Sequence, residues 1–385
     1  MKLLHTSDWH LGRVFNQQSL LDDQAHILKQ IIDYAKEHNV DAVIVAGDIY
    51  DRALPSADAV GLLDRTLTGL IRELSIPVVM ISGNHDGAQR LGFGSELLKH
   101  SGLHLSTSFE QLLQPVQLKA NFGQVNIWGI PYCDPENVND YFKVKTTDHQ
   151  SAQEHVTGVL KAHIADNFDA SVAHVVVSHS FIAGANTSES ERPLSIGGAE
   201  CVDANLFKDF DYTALGHLHQ AQFRGYDHVR YSGSPLKYSF SEVKQKKSVT
   251  LVTIADDKSV TTELLPLRAI REVRVLEGKF DDLLAQGKED TAADDYLQIK
   301  LTDKEAILDP LARLRVVYPN ILDLTKVTLE RDATTTRRTR EQLGRQPIEV
   351  INDFYKEMTQ ESLSDEQTQL LTEIVNELNK AADDA

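Results

Sequence analysis

The sequence predicts an α/β fold on three observations. Residues 41–46 and 76–81 are continuous apolar runs, as in strands that are buried on both faces. Residues 20–37 and 57–74 carry apolar side chains at helical spacing. A short apolar segment at residues 3–5 precedes the first helix. The resulting order β-α-β-α-β indicates a largely parallel sheet.

Further strands are expected in the middle of the chain. The connections between them are short, so either the same sheet turns antiparallel or a second sheet packs against the first. The candidate strands are residues 125–128, 174–177, 212–215, 229–231 and 249–254.

The composition changes near Pro266, which we take as the end of a catalytic domain over residues 1–266. All 15 histidines lie at or before His228. Residues 267–331 predict a small α+β capping domain in the order β-α-β-α-β, and we find no catalytic-looking cluster in its sequence. Its expected strands are residues 272–276, 296–301 and 322–329, and its expected helices lie near residues 280–285 and 305–318.

Beyond the cap, residues 332–346 are polar and lack usable periodicity. They predict a linker, which is either a solvated tether or an arm that contacts phosphates. Two helices are expected in residues 347–385, the second with a capping box formed by Ser364 and Gln367. Each helix has an apolar stripe but little core of its own. The pair therefore has to bury these stripes on the preceding domain or on a partner.

Bulk composition narrows the function classes. The chain has 385 residues and two cysteines, too few for a disulfide framework, so a reducing compartment is expected. No apolar stretch approaches the ~20 residues of a membrane span, and no signal peptide is evident, so we expect a cytoplasmic location. The net charge of -18 argues against a nucleic-acid coat. It permits an enzyme that meets nucleic acid at one metal-bearing cleft.

Five short clusters of Asp, Asn and His stand where apolar runs end. A buried strand fixes the backbone, so the side chains that follow it are held in place at a cleft. None of the clusters contains cysteine, which argues against structural zinc and iron–sulfur sites. The ligand types suit Mn²⁺, Mg²⁺, Fe²⁺ or Zn²⁺. The candidate ligands are Asp8, His10, Asp48, Asn84, His179, His217 and His219.

Seven ligands are too many for one ion with an open position and about right for two ions that share a carboxylate. Two ions ~3.5–4 Å apart can hold both oxygens of an in-line phosphoryl displacement and activate a water. His85 is then free to stabilise developing charge or to protonate the leaving oxygen. A sixth cluster, residues 233–235, offers no ligand and is expected in the cleft wall. His5 is expected to point into the core.

The order of these motifs is similar to that of the calcineurin-like metallophosphoesterases. The motifs are Asp-x-His at residues 8–10, Gly-Asp-x-x-Asp at 47–51, Gly-Asn-His-Asp at 83–86, His at 179 and Gly-His-x-His at 216–219. The resemblance implies a two-sheet β-sandwich flanked by helices and a dinuclear centre with Asp48 bridging and His85 catalytic. The implied ligands of one ion are Asp8, His10, Asp48 and His219, and those of the other are Asp48, Asn84, His179 and His217.

Within that superfamily, residues 3–12, 45–56 and 231–236 resemble the nuclease subunits of the bacterial SbcCD complexes. The resemblance implies a Mn²⁺-dependent DNA exonuclease and endonuclease that processes ends and hairpins in repair, recombination and replication. It also implies a homodimer that works within a heterotetramer with an SMC-like ATPase, SbcC. The C-terminal helices would dock on the base of that partner's coiled coil.

One residue departs from the pattern of the archaeal and eukaryotic relatives. Asp51 stands where the archaeal and eukaryotic relatives have histidine. It either orients a metal ligand or His85 or forms a salt bridge with Arg52.

The alternatives to a nuclease are a small-molecule phosphoesterase of the same superfamily and a catalytically silent scaffold. Basic residues near the clusters are candidates for DNA contact, although each taken singly is better explained as a surface charge: Arg13, Arg52, Arg90, Arg192, Arg224 and Lys237.

Overall fold

The computed structural model describes residues 1–191, 201–327, 347–359 and 362–383. The chain separates into two compact units, residues 1–273 and 274–385. The boundaries expected at residues 266 and 331 remain predictions. The expected linker over residues 332–346 lies outside the described residues, as does Arg192.

The described part of the first unit contains two six-stranded sheets and several helices. Its strands are β1 (Lys2–Thr6), β2 (Val14–Phe15), β3 (Gln18–Ser19), β4 (Ala42–Ala46), β5 (Val78–Ile81), β6 (Leu103–Ser106), β7 (Val116–Ala120), β8 (Gly123–Gly129), β9 (Ala173–His179), β10 (Phe181–Ile182), β11 (Cys201–Val202), β12 (Tyr212–Gly216), β13 (Gln222–Arg224), β14 (Tyr226–Tyr231), β15 (Ser248–Ile254) and β16 (Val260–Pro266). Its α-helices are α1 (Leu21–Glu37), α2 (Ala57–Leu67), α3 (Ala88–Leu91), α4 (Ser95–Leu98), α5 (Pro135–Phe142) and α6 (His149–Asn167).

The first large sheet has the strand order β16-β15-β1-β4-β5-β6. Strands β1, β4, β5 and β6 run parallel, with Leu4 opposite Val43 and Val45 opposite Met80. Strands β15 and β16 extend the other edge in antiparallel fashion. The predicted β-α-β-α-β order is confirmed, because α1 and α2 connect β1, β4 and β5.

The second large sheet has the strand order β13-β14-β12-β9-β8-β7. Its four central strands are parallel, and both edge strands pair antiparallel with their neighbours. The sequence left open an antiparallel turn or a second sheet, and the structure contains both features. The two-sheet architecture is confirmed.

The two sheets pack face to face through one buried apolar cluster. Ile44 and Val79 from the first sheet belong to this cluster together with Val175, Val177 and Ala214 from the second. Full burial of an aliphatic side chain stabilises a fold by about 1.5–3 kcal/mol relative to exposure. This layer therefore fixes the relative position of the strands in the two sheets.

The outer face of the second sheet is covered by α5 and α6. Trp128 and Val176 from the sheet share a buried cluster with Val138 of α5 and with Val156 and Leu160 of α6. The helices complete a sandwich that is flanked by helical layers, as the sequence resemblance implied.

The second unit has a three-stranded sheet in the order β17 (Val273–Gly278), β18 (Tyr296–Leu301) and β19 (Ile321–Lys326), with helices α7 (Phe280–Gly287) and α8 (Pro310–Leu314). Strands β18 and β19 are parallel. The helix expected over residues 305–318 is shorter than predicted. It begins at Pro310, because the residue before a proline avoids helical geometry and Asp309 caps the Ala312 amide.

Two further helices, α9 (Pro347–Thr359) and α10 (Asp365–Asp383), follow in the second unit. The predicted capping box is present: the Gln367 amide donates to Oγ of Ser364, and the Ser364 amide donates to Oε1 of Gln367. Leu370 and Ile374 of α10 are 59% and 44% exposed. Over the described ranges, no helix has the length and apolar character needed to cross a membrane.

Candidate metal centre

The seven candidate ligands lie where strands β1, β4, β5, β9 and β12 end. The carboxyl ends of neighbouring parallel strands lie at one edge of a sheet, and the sandwich brings the two such edges together. The hydrogen bond from Nδ1 of His179 on β9 to the carbonyl of Ala46 on β4 joins the two sheets there, with a length of 2.9 Å. The structure therefore gathers side chains that are up to 211 positions apart, from Asp8 to His219, in one place.

The backbone at this edge is strained. Asp8, His10, Asp48 and His217 all have positive φ angles, between 45° and 101°, which non-glycine residues rarely adopt. Such conformations persist only where the surrounding structure enforces them, and they concentrate at functional sites. Gly47 has a φ of 86°, and a Cβ atom there would overlap with Nδ1 of His179. A side chain at position 47 would displace a candidate ligand.

One half of the centre contains Asp8, His10 and His219, whose ligand atoms lie within 4.8 Å of one another. Nε2 of His10 and Nε2 of His219 are 3.2 Å apart. Two atoms that each lie about 2.1 Å from one octahedral ion, at right angles, are separated by about 3 Å. The spacing of these two nitrogens therefore suits adjacent positions on a single cation.

The other half contains Asn84, His179 and His217. Oδ1 of Asn84 lies 3.0 Å from Nε2 of His179 and 3.3 Å from Nδ1 of His217. These distances again match neighbouring ligands of one ion.

Asp48 lies between the two halves. Its Oδ2 atom is 3.6 Å from Nε2 of His10 and 3.5 Å from Nε2 of His179. Its Oδ1 atom accepts a hydrogen bond from the backbone amide of His85 at 2.9 Å. One carboxylate therefore faces both halves, as a bridging ligand would.

The hydrogen bonding of His179 tests whether these residues fit a cation. Nδ1 of His179 donates to the Ala46 carbonyl, so a neutral ring presents a lone pair at Nε2. That lone pair faces Oδ1 of Asn84 and Oδ2 of Asp48, which are also acceptors. Three acceptors that converge at 3.0–3.5 Å repel one another unless a proton or a cation lies among them. These three ligand atoms therefore fit a divalent cation.

The shifted pKa values at the centre also indicate that a positive charge is favoured beside Asp48. Burial raises the pKa of Asp8 to about 6. Burial alone would lower the pKa of His179, but the charges of Asp48 and Asp8 raise it to about 9. Burial holds the pKa of His217 at about 3, so that ring is neutral. Metal binding requires ionised carboxylates and neutral imidazoles, and a cation beside Asp48 would favour both.

His85 lies beside the two halves and is oriented by the backbone of Asp51. Nδ1 of His85 lies 2.9 Å from the Asp51 carbonyl oxygen. The His85 ring makes an edge-on contact with the His10 ring, with 4.7 Å between centroids. Nδ1 of His85 is therefore engaged by the backbone, and Nε2 is the ring nitrogen left for other partners.

The Asp51 side chain contacts a candidate ligand, Arg52 and a third group, Arg13. Its Oδ1 atom pairs with Nη1 of Arg13 at 2.7 Å and faces Nδ1 of His10 at 3.7 Å. Arg52 is more distant, with Nε 3.7 Å from Oδ2 of Asp51. The principal charge partner of Asp51 is thus Arg13, while its carbonyl orients His85.

Asp86 has a structural part in the centre that the sequence did not reveal. Its carboxylate accepts hydrogen bonds from the backbone amides of Ile49, Tyr50 and Gly83. It thereby ties the loop after β4 to the loop after β5. Those loops carry Asp48 and Asn84, so Asp86 holds the spacing between them.

The residues behind His219 were also missed by sequence reasoning. Ser190, Glu191, Glu242 and Lys247 contact this histidine from segments that have no strand-end motif. Residues 233–235 lie beside a candidate ligand, since the Ser234 amide donates to the His219 carbonyl at 3.1 Å.

Comparisons with known proteins reveal the family relationships of this chain. A family model for calcineurin-like phosphoesterases matches residues 1–221, and one described as the type 5 capsule protein repressor C-terminal domain matches residues 269–359. The chain is 36% identical over 376 residues to the SbcD subunit of the nuclease SbcCD from Staphylococcus epidermidis (strain ATCC 12228 / FDA PCI 1200), with 98% of each chain covered.

The solved structures that match this chain have low sequence identity and TM-scores below 0.5. TT1561 of Thermus thermophilus is 13% identical, with a TM-score of 0.39 over 68% of this chain and 98% of its own. A dimetal phosphatase from Danio rerio is 10% identical, with a TM-score of 0.38 over 69% of this chain and 95% of its own. The family matches and the identity to the staphylococcal relative decide the assignment: this chain belongs to the calcineurin-like phosphoesterases and, within them, to the SbcD family of nuclease subunits.

Proposed function

We propose that this chain is the nuclease subunit of an ATP-dependent complex and hydrolyses phosphodiester bonds in DNA with two Mn²⁺ ions. The observation that carries the proposal is the position of Asp48, whose Oδ2 atom lies 3.6 Å from His10 and 3.5 Å from His179. A carboxylate shared by two sets of metal ligands is the arrangement required for a two-ion phosphoesterase.

The two halves of the centre would hold the two ions. Bound ions of this kind would acidify a water molecule and stabilise the charge that develops on the phosphoryl oxygens. The residues that would hold the first ion are Asp8, His10, Asp48 and His219. Those that would hold the second are Asp48, Asn84, His179 and His217.

His85 protonates the leaving oxygen of the scissile bond. Its Nδ1 atom is engaged by the Asp51 carbonyl at 2.9 Å, so the proton is gained and lost at Nε2. A positioned general acid contributes about 10²–10⁴-fold to the rate of such a reaction.

Arg13 is the basic residue best placed to support this chemistry. Its guanidinium pairs with Asp51, and its side chain is 20% exposed at the centre. Arg52 is 77% exposed, so its side chain is accessible to a DNA phosphate. Phosphate contacts of this kind position a duplex without reading its sequence.

The partner is an SbcC-type ATPase, and two copies of this chain join it in a heterotetramer in the cytoplasm. Helices α9 and α10 form the docking segment, with Leu370 and Ile374 on one face of α10 four positions apart. Both side chains are substantially exposed. An amphipathic helix with an exposed apolar face suits docking on a helical partner.

Digestion of end-labelled linear and hairpin DNA tests the function. The assay uses the purified chain with Mn²⁺, with and without the ATPase subunit and ATP. We expect cleavage with Mn²⁺, none in EDTA, and stimulation by the ATPase with ATP. Hydrolysis of nucleotides or phosphomonoesters without cleavage of DNA would instead favour the small-molecule phosphoesterase. Binding of fewer than one Mn²⁺ per chain would favour the silent scaffold.

A further inference from the structure

His219 is held by hydrogen bonds at its backbone amide, its carbonyl and its ring. Its backbone amide donates to Oε1 of Glu191 at 2.7 Å, and its carbonyl accepts from Nζ of Lys247 at 2.9 Å. Its ring nitrogen Nδ1 lies 2.6 Å from Oγ of Ser190. Two separate segments of the chain, one with Ser190 and Glu191 and one with Lys247, thus converge on one histidine.

The ring contact continues into a buried ion pair. Oγ of Ser190 donates to Oε1 of Glu242 at 2.5 Å, and the hydroxyl therefore accepts the Nδ1 hydrogen of His219. Oε2 of Glu242 pairs with Nζ of Lys247, also at 2.5 Å. The Glu242 side chain has no exposed surface, and that of Lys247 is 7% exposed. We call Ser190, Glu242 and Lys247 the His219 support.

Burying this ion pair has an energetic cost. Desolvation of two charges in a protein interior costs several kcal/mol per ion, and apolar residues of similar volume are often at least as stable. The Lys247 ammonium group lies against Oε2 of Glu242 and favours the charged form of that side chain. Glu242 is therefore a carboxylate. A charge kept at this cost beside a candidate ligand suggests a role other than packing.

The support also selects the tautomer of His219. With hydrogen at Nδ1 committed to Ser190, the lone pair lies at Nε2, which faces Nε2 of His10 at 3.2 Å. A carboxylate behind a metal-bound imidazole fixes its orientation and makes the ring a stronger donor, and loss of such partners typically costs 10–100-fold in metal affinity. Without Ser190, Nδ1 would face Oε1 of Glu242 at 3.5 Å, beyond a good hydrogen bond.

We propose that Ser190 and Glu242 are positioning residues that set the cation affinity of the half of the centre containing His10 and His219, with Lys247 holding Glu242 in place. The inference rests on the proposed two-ion function. In the other half of the centre, Nδ1 of His179 donates to the backbone carbonyl of Ala46, and among the described residues no carboxylate is recorded behind that nitrogen. The two ions should therefore respond differently to changes in the support.

Calorimetric titration of the full chain with Mn²⁺ tests the proposal. The variants are Ser190→Ala, Glu242→Gln and the matched control Ser180→Ala, which removes a buried hydroxyl bonded to Ser178 and Gln153 instead of to His219. We expect the wild type and the control to bind two ions. We expect Ser190→Ala and Glu242→Gln to weaken one site by about 10–100-fold and to leave the other unchanged.

Combining Ser190→Ala with a substitution in the opposite half identifies which of the two metal sites is weakened. Asn84→Ala removes a donor from the opposite half, so the double variant Asn84→Ala/Ser190→Ala should lose tight binding at both sites. Ser190→Ala keeps the Glu242–Lys247 pair intact and decides the question if Glu242→Gln does not fold. Unchanged binding of both ions in the folded Ser190→Ala variant would overturn the proposal. A wild-type chain that binds fewer than two ions would contradict the two-ion function instead.

Discussion

Nδ1 of His85 lies 2.9 Å from the backbone carbonyl oxygen of Asp51. A side-chain partner could be replaced by mutation, whereas this acceptor belongs to the loop that also carries Asp48. The orientation of His85 therefore depends on the same loop geometry as the candidate bridging ligand. The ring is fixed at one nitrogen and remains available for proton transfer at the other.

The substitution His85→Gln should remove hydrolysis and retain metal binding. We expect Mn²⁺-dependent cleavage of DNA to fall by about 10²–10⁴-fold, because glutamine does not transfer a proton as a general acid does. Calorimetry should still report two ions. The exposed His100→Gln is the matched control and should cleave at the parent rate. Cleavage by His85→Gln at that same rate would contradict the role of His85.

Substitution of Asp48 should affect both ions, whereas substitution of Asn84 should affect one. Oδ2 of Asp48 is within 3.6 Å of a ligand nitrogen in each half, while Oδ1 of Asn84 contacts His179 and His217 in a single half. We therefore expect Asp48→Asn to abolish tight binding of two Mn²⁺ ions and Asn84→Ala to leave one ion bound. Native mass spectrometry would count the ions. Retention of one tight ion by Asp48→Asn would show that the carboxylate is not shared.

The arrangement of the centre was accessible from the sequence because its ligands follow strands. Asp48 comes after an apolar run of residues 42–46, and Asn84 comes after residues 78–81. The carboxyl ends of parallel strands must meet, so their positions in sequence predict proximity in space. The structure brings all seven candidates to one edge.

The His219 support could not be predicted in the same way. Ser190 and Glu242 are 52 positions apart, and neither follows a predicted strand. Their local sequence is that of ordinary polar loops. Only the tertiary fold shows that Glu242 is fully buried beside an ammonium group. Burial of a charge is a property of packing and leaves no periodic signal.

The sequence analysis also missed helix α6 and strand β7, because their apolar patterns are weak. Helix α6 buries Ala152, Val156 and Leu160, but polar Gln153 and Thr157 are buried on the same helix. Its apolar stripe is therefore narrow and interrupted. The edge strand β7 alternates between half-buried and exposed residues. Edge strands of this kind depend on pairing with a neighbour more than on their own hydrophobicity.

His5 should make the stability of the chain depend on pH. It is buried as expected, with Nδ1 2.9 Å from the Tyr212 hydroxyl, and burial lowers the pKa of His5 to about 3. The unfolded chain takes up a proton below about pH 6.5, where folded His5 stays neutral. The contribution to stability is therefore complete above that pH and is lost as the pH falls, by up to about 1.4 kcal/mol per unit.

Urea unfolding in EDTA measures this effect. Between about pH 7.5 and 5.5, the free energy of unfolding of the wild type should fall by about 1 kcal/mol more than that of His5→Gln, which cannot titrate. The exposed His100→Gln should retain the wild-type dependence. Parallel pH curves for wild type and His5→Gln would show that His5 is not held neutral by burial.

Deletion of residues 347–385 should separate catalysis from assembly. The candidate ligands and His85 all lie in the first unit, whereas helices α9 and α10 lie in the second. We therefore expect the truncated chain to retain basal Mn²⁺-dependent nuclease activity and to lose co-purification with the SbcC-type ATPase.

A point variant on α10 sharpens the test of docking. Leu370→Asp/Ile374→Asp places charge on the exposed apolar face of α10, and charged groups are costly to bury in an interface without a partner. We expect this double variant to lose the ATPase as the deletion does. Gln369→Asp, which adds the same kind of charge at an exposed polar position of the same helix, should keep it. Retained association in Leu370→Asp/Ile374→Asp would place the docking surface elsewhere on the chain, because the exposed stripe of α10 would then contribute little to the interface.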